Sequence, residues 1–269
     1  MSFSAKLAAA VRRNRSLLCV GLDPAPDRMP IADPVAFCRE IIAATRDLVC
    51  CYKPNAAFFE QFGRQAFAML DEVRQAIPDD VPALLDAKRG DIGNTADAYA
   101  HAAFDVLGYD ALTVSPYLGG DSLEPFLARP DKTAFVLCRT SNPGAGDFQD
   151  LPVSLADGRV IPLYQAVAER CREWNTAGNI GLVVGATYPE QLGLIRSICP
   201  EQPILVPGIG AQGGDVRTSV DVGRGDDPTK LLLSASRQVL YAGSGPNFAD
   251  AARRAAEVLQ RETAAGLLS

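Results

Sequence analysis

The stretch ALLDAKRGDIGNT, residues 83–95, changes abruptly from apolar to charged. Residues 83–85 form a short apolar run, and Asp86, Lys88 and Asp91 follow it closely. A continuous apolar run is typical of a strand covered on both faces, as in a parallel sheet. Charged residues at the downstream end of such a strand are typical of the active-site mouth of an α/β barrel. The stretch therefore predicts a parallel α/β architecture with its chemistry at one end of the strands.

Seven further apolar runs alternate with amphipathic stretches along the chain. Together they make eight candidate strands, at residues 17–22, 48–52, 83–85, 111–114, 134–138, 180–184, 204–206 and 231–233. Helices are predicted before the first strand and at residues 33–45, 58–77, 95–107, 164–175, 189–198 and 248–260. Eight strands joined by helical crossovers predict an α/β fold, a (β/α)8 TIM barrel with an extra N-terminal helix.

The length and composition are those of one globular domain. The chain has 269 residues, of which 48% are apolar and 22% are charged. About 250 residues are usual for a TIM barrel, so residues 1–269 are predicted to form a single domain. Two long stretches without helical or strand periodicity, residues 141–162 and 207–228, are predicted to be irregular. Loops of this length are usually functional, and we assign no role to residues 144–162.

Charge and hydropathy exclude several classes of partner. A net charge of -6 argues against a nucleic-acid partner, because phosphate backbones are bound through clustered Lys and Arg. No apolar run approaches the ~20 residues of a membrane span, and the N-terminus lacks a signal-peptide pattern. A cytoplasmic protein without a membrane partner is therefore expected. The seven cysteines are odd in number and include no C-x-x-C pair, which favours buried free thiols over disulfides.

Histidine chemistry is limited to one residue. His101 is the only histidine, which excludes a His-rich metal site and a Ser-His-Asp triad built on any other histidine. Because His101 falls on a predicted helix, we expect a surface or interface residue. Acid and base roles are therefore expected to fall to Asp, Glu or Lys.

Charged residues follow the first three candidate strands. Asp23 follows the first and Lys53 the second, while Asp86 and Lys88 follow the third with a spacing that puts them on one side of an extended strand. A lysine flanked by carboxylates stays protonated, which suits it to deliver a proton to a developing carbanion. A surface ion-pair cluster is the alternative for these residues taken alone. Their common position at strand ends favours function.

The last two strands precede an expected phosphate site. PGIGAQGG, residues 207–214, follows the seventh strand, and Ser236 with Arg237 follows the eighth. Backbone amides of a Gly-rich turn together with an arginine can hold a phosphate, which TIM barrels often bind at this place. The alternative is a plain flexible loop. Ser141, after the fifth strand, has a hydroxyl that can reach a base edge, or it belongs to a simple Ser-Asn-Pro-Gly turn.

Seven segments taken in order resemble one family. They are GLDP at 21–24, YKPN at 52–55, LLDAKRGDIGNT at 84–95, TSNPG at 140–144, VVGAT at 183–187, VPGIGAQGG at 206–214 and SASR at 234–237. This set resembles orotidine 5'-phosphate decarboxylase, in the branch whose third-strand motif reads DAKRGDI. The resemblance spans the chain from the first strand to the eighth, and the D-x-K-x-x-D core is specific to this suprafamily.

The resemblance implies roles for individual residues. Lys88, Asp86, Asp91 and Lys53 would form the catalytic array, with Lys88 protonating C6 of the pyrimidine. Substrate contacts would come from Asp23 and Lys53 to the ribose, Ser141 to the base, Gln212 and Arg237 to the phosphate, and from Thr95, Ile92, Pro207 and Ser236. A homodimer is implied, in which Asp91 and Thr95 come from the neighbouring subunit. The loop at 207–214 would close over the ligand.

The implied reaction converts orotidine 5'-phosphate into uridine 5'-phosphate and CO2 in pyrimidine biosynthesis, with no cofactor and no metal. Two alternatives stay open. Sugar-phosphate decarboxylases and aldolases of the same suprafamily share the D-x-K-x-x-D core but need Mg2+, so a chelator would distinguish them. A non-catalytic nucleotide-binding barrel would keep the phosphate site without the charged array. The complete set of Asp86, Lys88 and Asp91 argues against this second alternative.

Overall fold

The computed structural model describes residues 1–209, 215–264 and 267. Gln212, predicted as a phosphate ligand, lies outside these residues, as does most of the loop at 207–214. The strands within the described residues are β1 (Leu18–Leu22), β2 (Cys51–Pro54), β3 (Leu84–Arg89), β4 (Ala111–Val114), β5 (Thr133–Arg139), β6 (Pro152–Ser154), β7 (Val160–Pro162), β8 (Ile180–Val184), β9 (Ile204–Pro207) and β10 (Leu231–Ala235).

Eight of these strands form a parallel barrel. Their order is β2-β1-β10-β9-β8-β5-β4-β3, and every pair within this sheet is parallel. Two parallel bridges, Tyr52 to Ala83 and Asn55 to Asp86, join β2 to β3 and close the cylinder. β6 and β7 form a separate antiparallel pair outside the barrel. The predicted (β/α)8 TIM barrel is therefore confirmed.

Helices surround the barrel. The α-helices are α1 (Phe3–Asn14), α2 (Pro34–Thr45), α3 (Ala56–Glu60), α4 (Ala66–Ala76), α5 (Gly93–Ala100), α6 (Glu124–Leu127), α7 (Gly146–Gln149), α8 (Leu163–Trp174), α9 (Pro189–Ile198), α10 (Val216–Gly223), α11 (Arg237–Leu240) and α12 (Phe248–Ala264). The 3-10 helices are Gly63–Gln65, Pro143–Ala145 and Pro228–Lys230, and a π-helix at His101–Val106 continues α5.

The extra N-terminal helix, α1, covers the amino ends of the strands. The ring of Phe3 packs edge-on against Phe135 of β5, with centroids 5.5 Å apart. Nearby, Lys6 forms a largely buried ion pair of 2.8 Å with Asp110, the residue before β4. Because α1 occupies this end of the barrel, the carboxyl ends of the strands remain as the open mouth.

Two strand predictions need correction at their boundaries. The second strand runs Cys51–Pro54, not 48–52, and the third runs Leu84–Arg89, not 83–85. Lys53, Asp86 and Lys88 therefore lie within strands and not after them. The apolar runs end before these strands do. The charged side chains can lie within the strands, at the barrel mouth, because they are paired with one another.

Two helix predictions were also too simple. The helix predicted at 58–77 is divided into α3, a 3-10 turn and α4, and Gly63 between them has a left-handed φ of 68°. Glycine adopts that conformation at little cost, so it interrupts the helix. The helix predicted at 95–107 begins at Gly93 as α5 and ends in the π-helix at His101–Val106.

The two stretches predicted to be irregular contain regular structure. Residues 141–162 include α7 and the hairpin of β6 and β7, and the turn between these strands contains Asp157 and Gly158, with Gly158 at φ 86°. Asp-Gly is a strong hairpin signal, and the sequence prediction overlooked it. The described part of 207–228 includes α10, which begins where the Asp215 side chain accepts the Thr218 N–H.

The expectations for the cysteines and for His101 are confirmed. All seven cysteines are buried with free thiols. His101 is a surface residue, with 62% of its side chain exposed and Asp105 3.0 Å away. Among the helices of the described residues, none has the length and apolar character needed to cross a bilayer.

Candidate active site

A cavity of about 640 Å³ opens at the carboxyl ends of the strands. Its wall combines residues that lie within or directly after five strands of the barrel, β1, β2, β3, β9 and β10. The lining includes Asp23, Lys53, Asn55, Asp86, Pro207, Gly208, Ser236, Arg237 and Tyr241. Parallel strands place their carboxyl ends at one mouth, so residues far apart in the sequence meet here.

Asp86 is the centre of the charged cluster. One carboxylate oxygen, Oδ2, accepts the Lys53 ammonium at 3.1 Å, and the other, Oδ1, accepts the Lys88 ammonium at 2.6 Å. The Thr113 hydroxyl also donates to Oδ1, at 2.9 Å. Only 6% of the Lys53 side chain and 13% of the Asp86 side chain are exposed, whereas Lys88 is 50% exposed. Two cations therefore share one buried carboxylate, and the more exposed of them, Lys88, does not itself line the cavity.

The charges in this cluster stabilise one another. Burial alone would lower the pKa of Lys53, but the Asp86 and Asp23 carboxylates together raise it above its usual range. Burial alone would raise the pKa of Asp86, but Lys53 and Lys88 together hold it well below its usual range. Lys53 and Asp86 therefore stay ionised across the physiological pH range.

The backbone of Lys88 is strained and is supported by β4. Lys88 has a φ of 49°, and the pairing of β3 with β4 shifts register between Leu85 and Arg89. The N–H groups of Ala87 and Lys88 both donate to the Thr113 hydroxyl, at 3.0 and 2.9 Å. The pairing of Lys88 with Asp86 thus depends on this local conformation, and not on the regular alternation of an extended strand that the sequence suggested.

Thr113 is one of the site residues that the sequence analysis missed. It lies within the fourth apolar run and is 1% exposed. Its hydroxyl contacts two backbone N–H groups and the central carboxylate. The available signal was a single hydroxyl residue in the run ALTV, because a buried polar side chain needs partners.

One carboxylate oxygen of Asp23 accepts no hydrogen bond from any described residue. Its Oδ1 is buried and lacks a hydrogen-bond partner within residues 1–209, 215–264 and 267. The Tyr241 hydroxyl holds the backbone on both sides, since it donates to the Asp23 carbonyl and accepts the Ala25 N–H, each at 2.7 Å. A buried acceptor without a partner is costly, so this oxygen is suited to accept a ligand hydroxyl.

The ends of β9 and β10 form the other side of the cavity. Pro207 ends β9 and Gly208 follows it with a left-handed φ of 94°. Ser236 and Arg237 follow β10 and line the same cavity. The Ser236 hydroxyl lies directly against Gly21 of β1, where an added Cβ would be 1.9 Å from it. These groups, a half-buried backbone turn and a guanidinium, are suited to an anion.

Besides Lys88, four described residues predicted to be in the site are not among those that line this cavity. Asp91 accepts the Ile92 N–H at 2.8 Å and, within the described chain, forms no ion pair with Lys88. Ile92 is 59% exposed, and Thr95 is exposed on α5. Ser141 lies after β5 beside Gly185, where an added Cβ would be 2.8 Å from the Ser141 Cβ. A single chain therefore brings together around the cavity Asp23, Lys53, Asp86, Pro207, Ser236 and Arg237, and Lys88 joins this group through its contact with Asp86.

Comparison with known proteins identifies the family of this barrel. The sequence pattern of the Orotidine 5'-phosphate decarboxylase / HUMPS family matches residues 16–253. Orotidine 5'-phosphate decarboxylase of Roseiflexus sp. is 52% identical over 276 residues, which cover 100% of both chains. That of Thermomicrobium roseum is 53% identical and covers 95% of this chain and 92% of the relative.

Solved structures agree with the sequence relatives. The structure of Leishmania donovani OMP decarboxylase superposes with a TM-score of 0.88 at 45% identity and covers 100% of both chains. A putative orotidine-monophosphate decarboxylase from Toxoplasma gondii gives a TM-score of 0.87 at 39% identity, over 98% of both chains. The chain therefore belongs to the orotidine 5'-phosphate decarboxylase family.

Proposed function

We propose that this chain decarboxylates orotidine 5'-phosphate to uridine 5'-phosphate and CO2, as a carboxy-lyase of pyrimidine (UMP) biosynthesis. The observation that carries the proposal is the Asp86 carboxylate held between the ammonium groups of Lys53 and Lys88 at a barrel mouth. Family membership and relatives about 50% identical over the full length support the same reaction.

Lys88 carries the chemical step. The bond between C6 and its carboxylate breaks, CO2 leaves, and the electron pair stays on C6 as a carbanion with little delocalisation. The Lys88 ammonium stabilises this charge and then gives a proton to C6, after which the amine regains a proton from water. Asp86 orients the ammonium through the 2.6 Å contact, and its charge beside the departing carboxylate disfavours the ground state.

The rest of the cavity binds the nucleotide. The unpartnered Oδ1 of Asp23 accepts a ribose hydroxyl, and Lys53 donates to the ribose while it holds Asp86. The phosphate binds Arg237 and the turn after Pro207, with Ser236 and Gln212 as further contacts. Ser141 hydrogen-bonds the pyrimidine. Because the phosphate is remote from C6, its binding energy serves to order the surrounding loops.

A second copy of the chain completes the site. Asp91 and Thr95 of one subunit contribute to the site of the other, with Ile92 beside them. The support is that Asp91 does not reach Lys88 within its own described chain, while Ile92 is a 59% exposed apolar residue next to it. Tyr117, 83% exposed, adds a further large apolar side chain after β4. The protein is accordingly a homodimer with two shared sites.

The reaction needs neither a metal nor an organic cofactor, and the enzyme acts as a single domain in the cytoplasm without nucleic-acid partners. The decisive test follows the loss of orotidine 5'-phosphate absorbance with purified protein, EDTA and no added cofactor. Rapid decay is expected. No decay in folded protein would leave the sugar-phosphate branch of the suprafamily or a binding barrel, and Mg2+-dependent turnover of a sugar phosphate would then identify the former. Folded protein that binds uridine 5'-phosphate without turnover would indicate a binding barrel.

A further inference from the structure

The segment between β5 and α8 is tied to the barrel mouth by one side chain. Gln149, at the end of α7, contacts the residue that follows β5 at two points. Its Oε1 accepts the Thr140 backbone N–H at 2.8 Å, and its Nε2 donates to the Thr140 hydroxyl at 2.8 Å. The same Oε1 also accepts the Arg139 guanidinium at 3.2 Å. Gln149 therefore fixes both the backbone and the side chain of Thr140.

These contacts bear on the residue next to Thr140. β5 ends at Arg139, so Gln149 supplies the acceptor for the Thr140 N–H beyond the strand. The Thr140 hydroxyl in turn donates to the Asn142 side chain at 2.7 Å. Ser141 lies between these two residues. Its backbone is thus held on both sides by a network that begins at Gln149.

The base of this network is buried and is held by several contacts. The Arg139 side chain is 3% exposed, lies over the Tyr188 ring at 3.9 Å and donates to Asp150 at 3.0 Å. On the opposite side, the Gly185 N–H donates to the Arg139 carbonyl at 2.7 Å. An added Cβ at Gly185 would lie 2.9 Å from the Ser141 backbone nitrogen, so Ser141 packs directly on Gly185. Ser141 is therefore confined between β8 and the network of Gln149.

We propose that Gln149 is a positioning residue for recognition of the pyrimidine, and that residues 143–162 serve to hold it against the end of β5. This inference rests on the proposed function, in which Ser141 contacts the base. Gln149 itself touches no substrate atom. Its effect is expected on ligands that carry a base, and not on ligands that carry only ribose and phosphate.

The test compares two ligands that differ in the base. Dissociation constants are measured for uridine 5'-phosphate and for ribose 5-phosphate with the wild type, Gln149→Met, Gln149→Glu and Ser141→Ala. Gln149→Met keeps the size of the side chain but removes its hydrogen bonds. We expect its dissociation constant for uridine 5'-phosphate to rise about tenfold, and that for ribose 5-phosphate to stay within about twofold of the wild-type value. Gln149→Glu keeps the acceptor for Thr140 and Arg139, so its affinity for both ligands is expected within about threefold of wild type.

Three further variants separate positioning from folding. Gln165→Met changes another partly buried glutamine, on α8, whose amide donates to Glu169 at 3.2 Å, and should leave both affinities unchanged. The double variant Ser141→Ala with Gln149→Met should bind uridine 5'-phosphate no more weakly than Ser141→Ala alone, because both changes remove the same contact. Thr140→Val, which keeps the N–H but loses the hydroxyl, replaces Gln149→Met if that variant does not fold.

The outcomes are distinct. Unchanged uridine 5'-phosphate affinity in Gln149→Met, or an equal loss for both ligands, would overturn the positioning role while leaving the decarboxylase proposal intact. Normal uridine 5'-phosphate affinity in Ser141→Ala would remove the base contact and this inference with it. Failure of the proposed function is detected separately, since it appears as absence of orotidine 5'-phosphate turnover in the wild type, whereas these measurements need no turnover.

Discussion

Lys88 donates to Oδ1 of Asp86 at 2.6 Å from a backbone in the left-handed region, with φ at 49°. A non-glycine residue in this region costs roughly 1–3 kcal/mol, and such strain persists where the surroundings over-determine it. Here the surroundings are the Thr113 hydroxyl and the shifted pairing of β3 with β4. A strained backbone at Lys88 therefore accompanies the placement of its ammonium on the Asp86 carboxylate.

Replacement of this ammonium tests the chemical step. Lys88→Ala should lower kcat by at least about 10⁴-fold, because it removes both the proton donor and the charge that stabilises the carbanion. Uridine 5'-phosphate should still bind, since Asp23, Lys53 and Arg237 remain. Single-turnover decarboxylation and product affinity are the measurements. Lys132→Ala, before β5 at the amino end of the barrel, is the matched control. Substantial residual turnover in Lys88→Ala would refute the mechanism.

The Thr113 hydroxyl that holds the Lys88 backbone can be removed without changing any charged side chain. Thr113→Val keeps the shape of the side chain but leaves the Ala87 and Lys88 N–H groups and one Asp86 oxygen without their hydroxyl partner. We expect kcat to fall about 10- to 100-fold, because loss of these three hydrogen bonds lets the Lys88 ammonium move from its position on Asp86. Steady-state kinetics measure the effect. Thr133→Val, a buried threonine at the start of β5, should have near-normal kcat.

An equal loss of kcat in both threonine variants would indicate general destabilisation, and the supporting role of Thr113 would then be wrong. The fraction of folded protein, measured by titration with uridine 5'-phosphate, corrects kcat for any unfolded enzyme.

The sequence predicted the architecture well because a parallel barrel repeats one simple pattern. Strands buried on both faces give continuous apolar runs, and eight such runs were visible. The same pattern placed the end of β3 too early, because Asp86 and Lys88, which are paired with each other, continue the strand beyond the apolar run. Burial of charge by pairing is a three-dimensional property that a hydropathy pattern does not contain.

The site was predicted less completely, for two physical reasons. Thr113 and Gln149 act through contacts with residues distant in sequence or across a loop, and no local motif marks such partners. Asp91 and Thr95 were predicted from family resemblance, and their proposed position depends on a second chain. Asp23, Lys53 and Arg237 could be predicted because the ends of parallel strands must converge.

The buried pair of Asp86 and Lys53 should make stability depend on pH in the acid range. The pKa of Asp86 is lowered in the folded state. The ionised carboxylate therefore contributes to the free energy of unfolding above the pKa of the unfolded chain, about 3.9, and this contribution is lost as pH falls toward the pKa of the folded state. Asp86→Asn leaves Lys53 buried without its partner and should cost about 3 kcal/mol at neutral pH. The difference in the free energy of unfolding between Asp86→Asn and the wild type should narrow below about pH 4, by up to ~1.4 kcal/mol per pH unit.

Urea unfolding from pH 3 to pH 7 measures this gap. Asp80→Asn removes a carboxylate from an exposed pair with Arg13, 2.6 Å apart, and should change the unfolding free energy by less than about 1 kcal/mol at every pH. A gap for Asp86→Asn that stays constant down to pH 3 would contradict the assignment of a lowered Asp86 pKa.

Mixing two inactive variants tests the shared site. If Asp91 acts in the neighbouring subunit, a heterodimer of Lys88→Ala with Asp91→Ala has one site that carries both defects and one intact site. Unfolding and refolding an equal mixture should then recover about a quarter of wild-type activity, because about half of the dimers are mixed and each has one working site.

Light scattering first establishes that the wild type and both variants are dimers. Refolding each variant alone is the control, and should give no activity. If the mixture also stays inactive while mass spectrometry detects mixed dimers, Asp91 acts within its own subunit and the shared site is wrong.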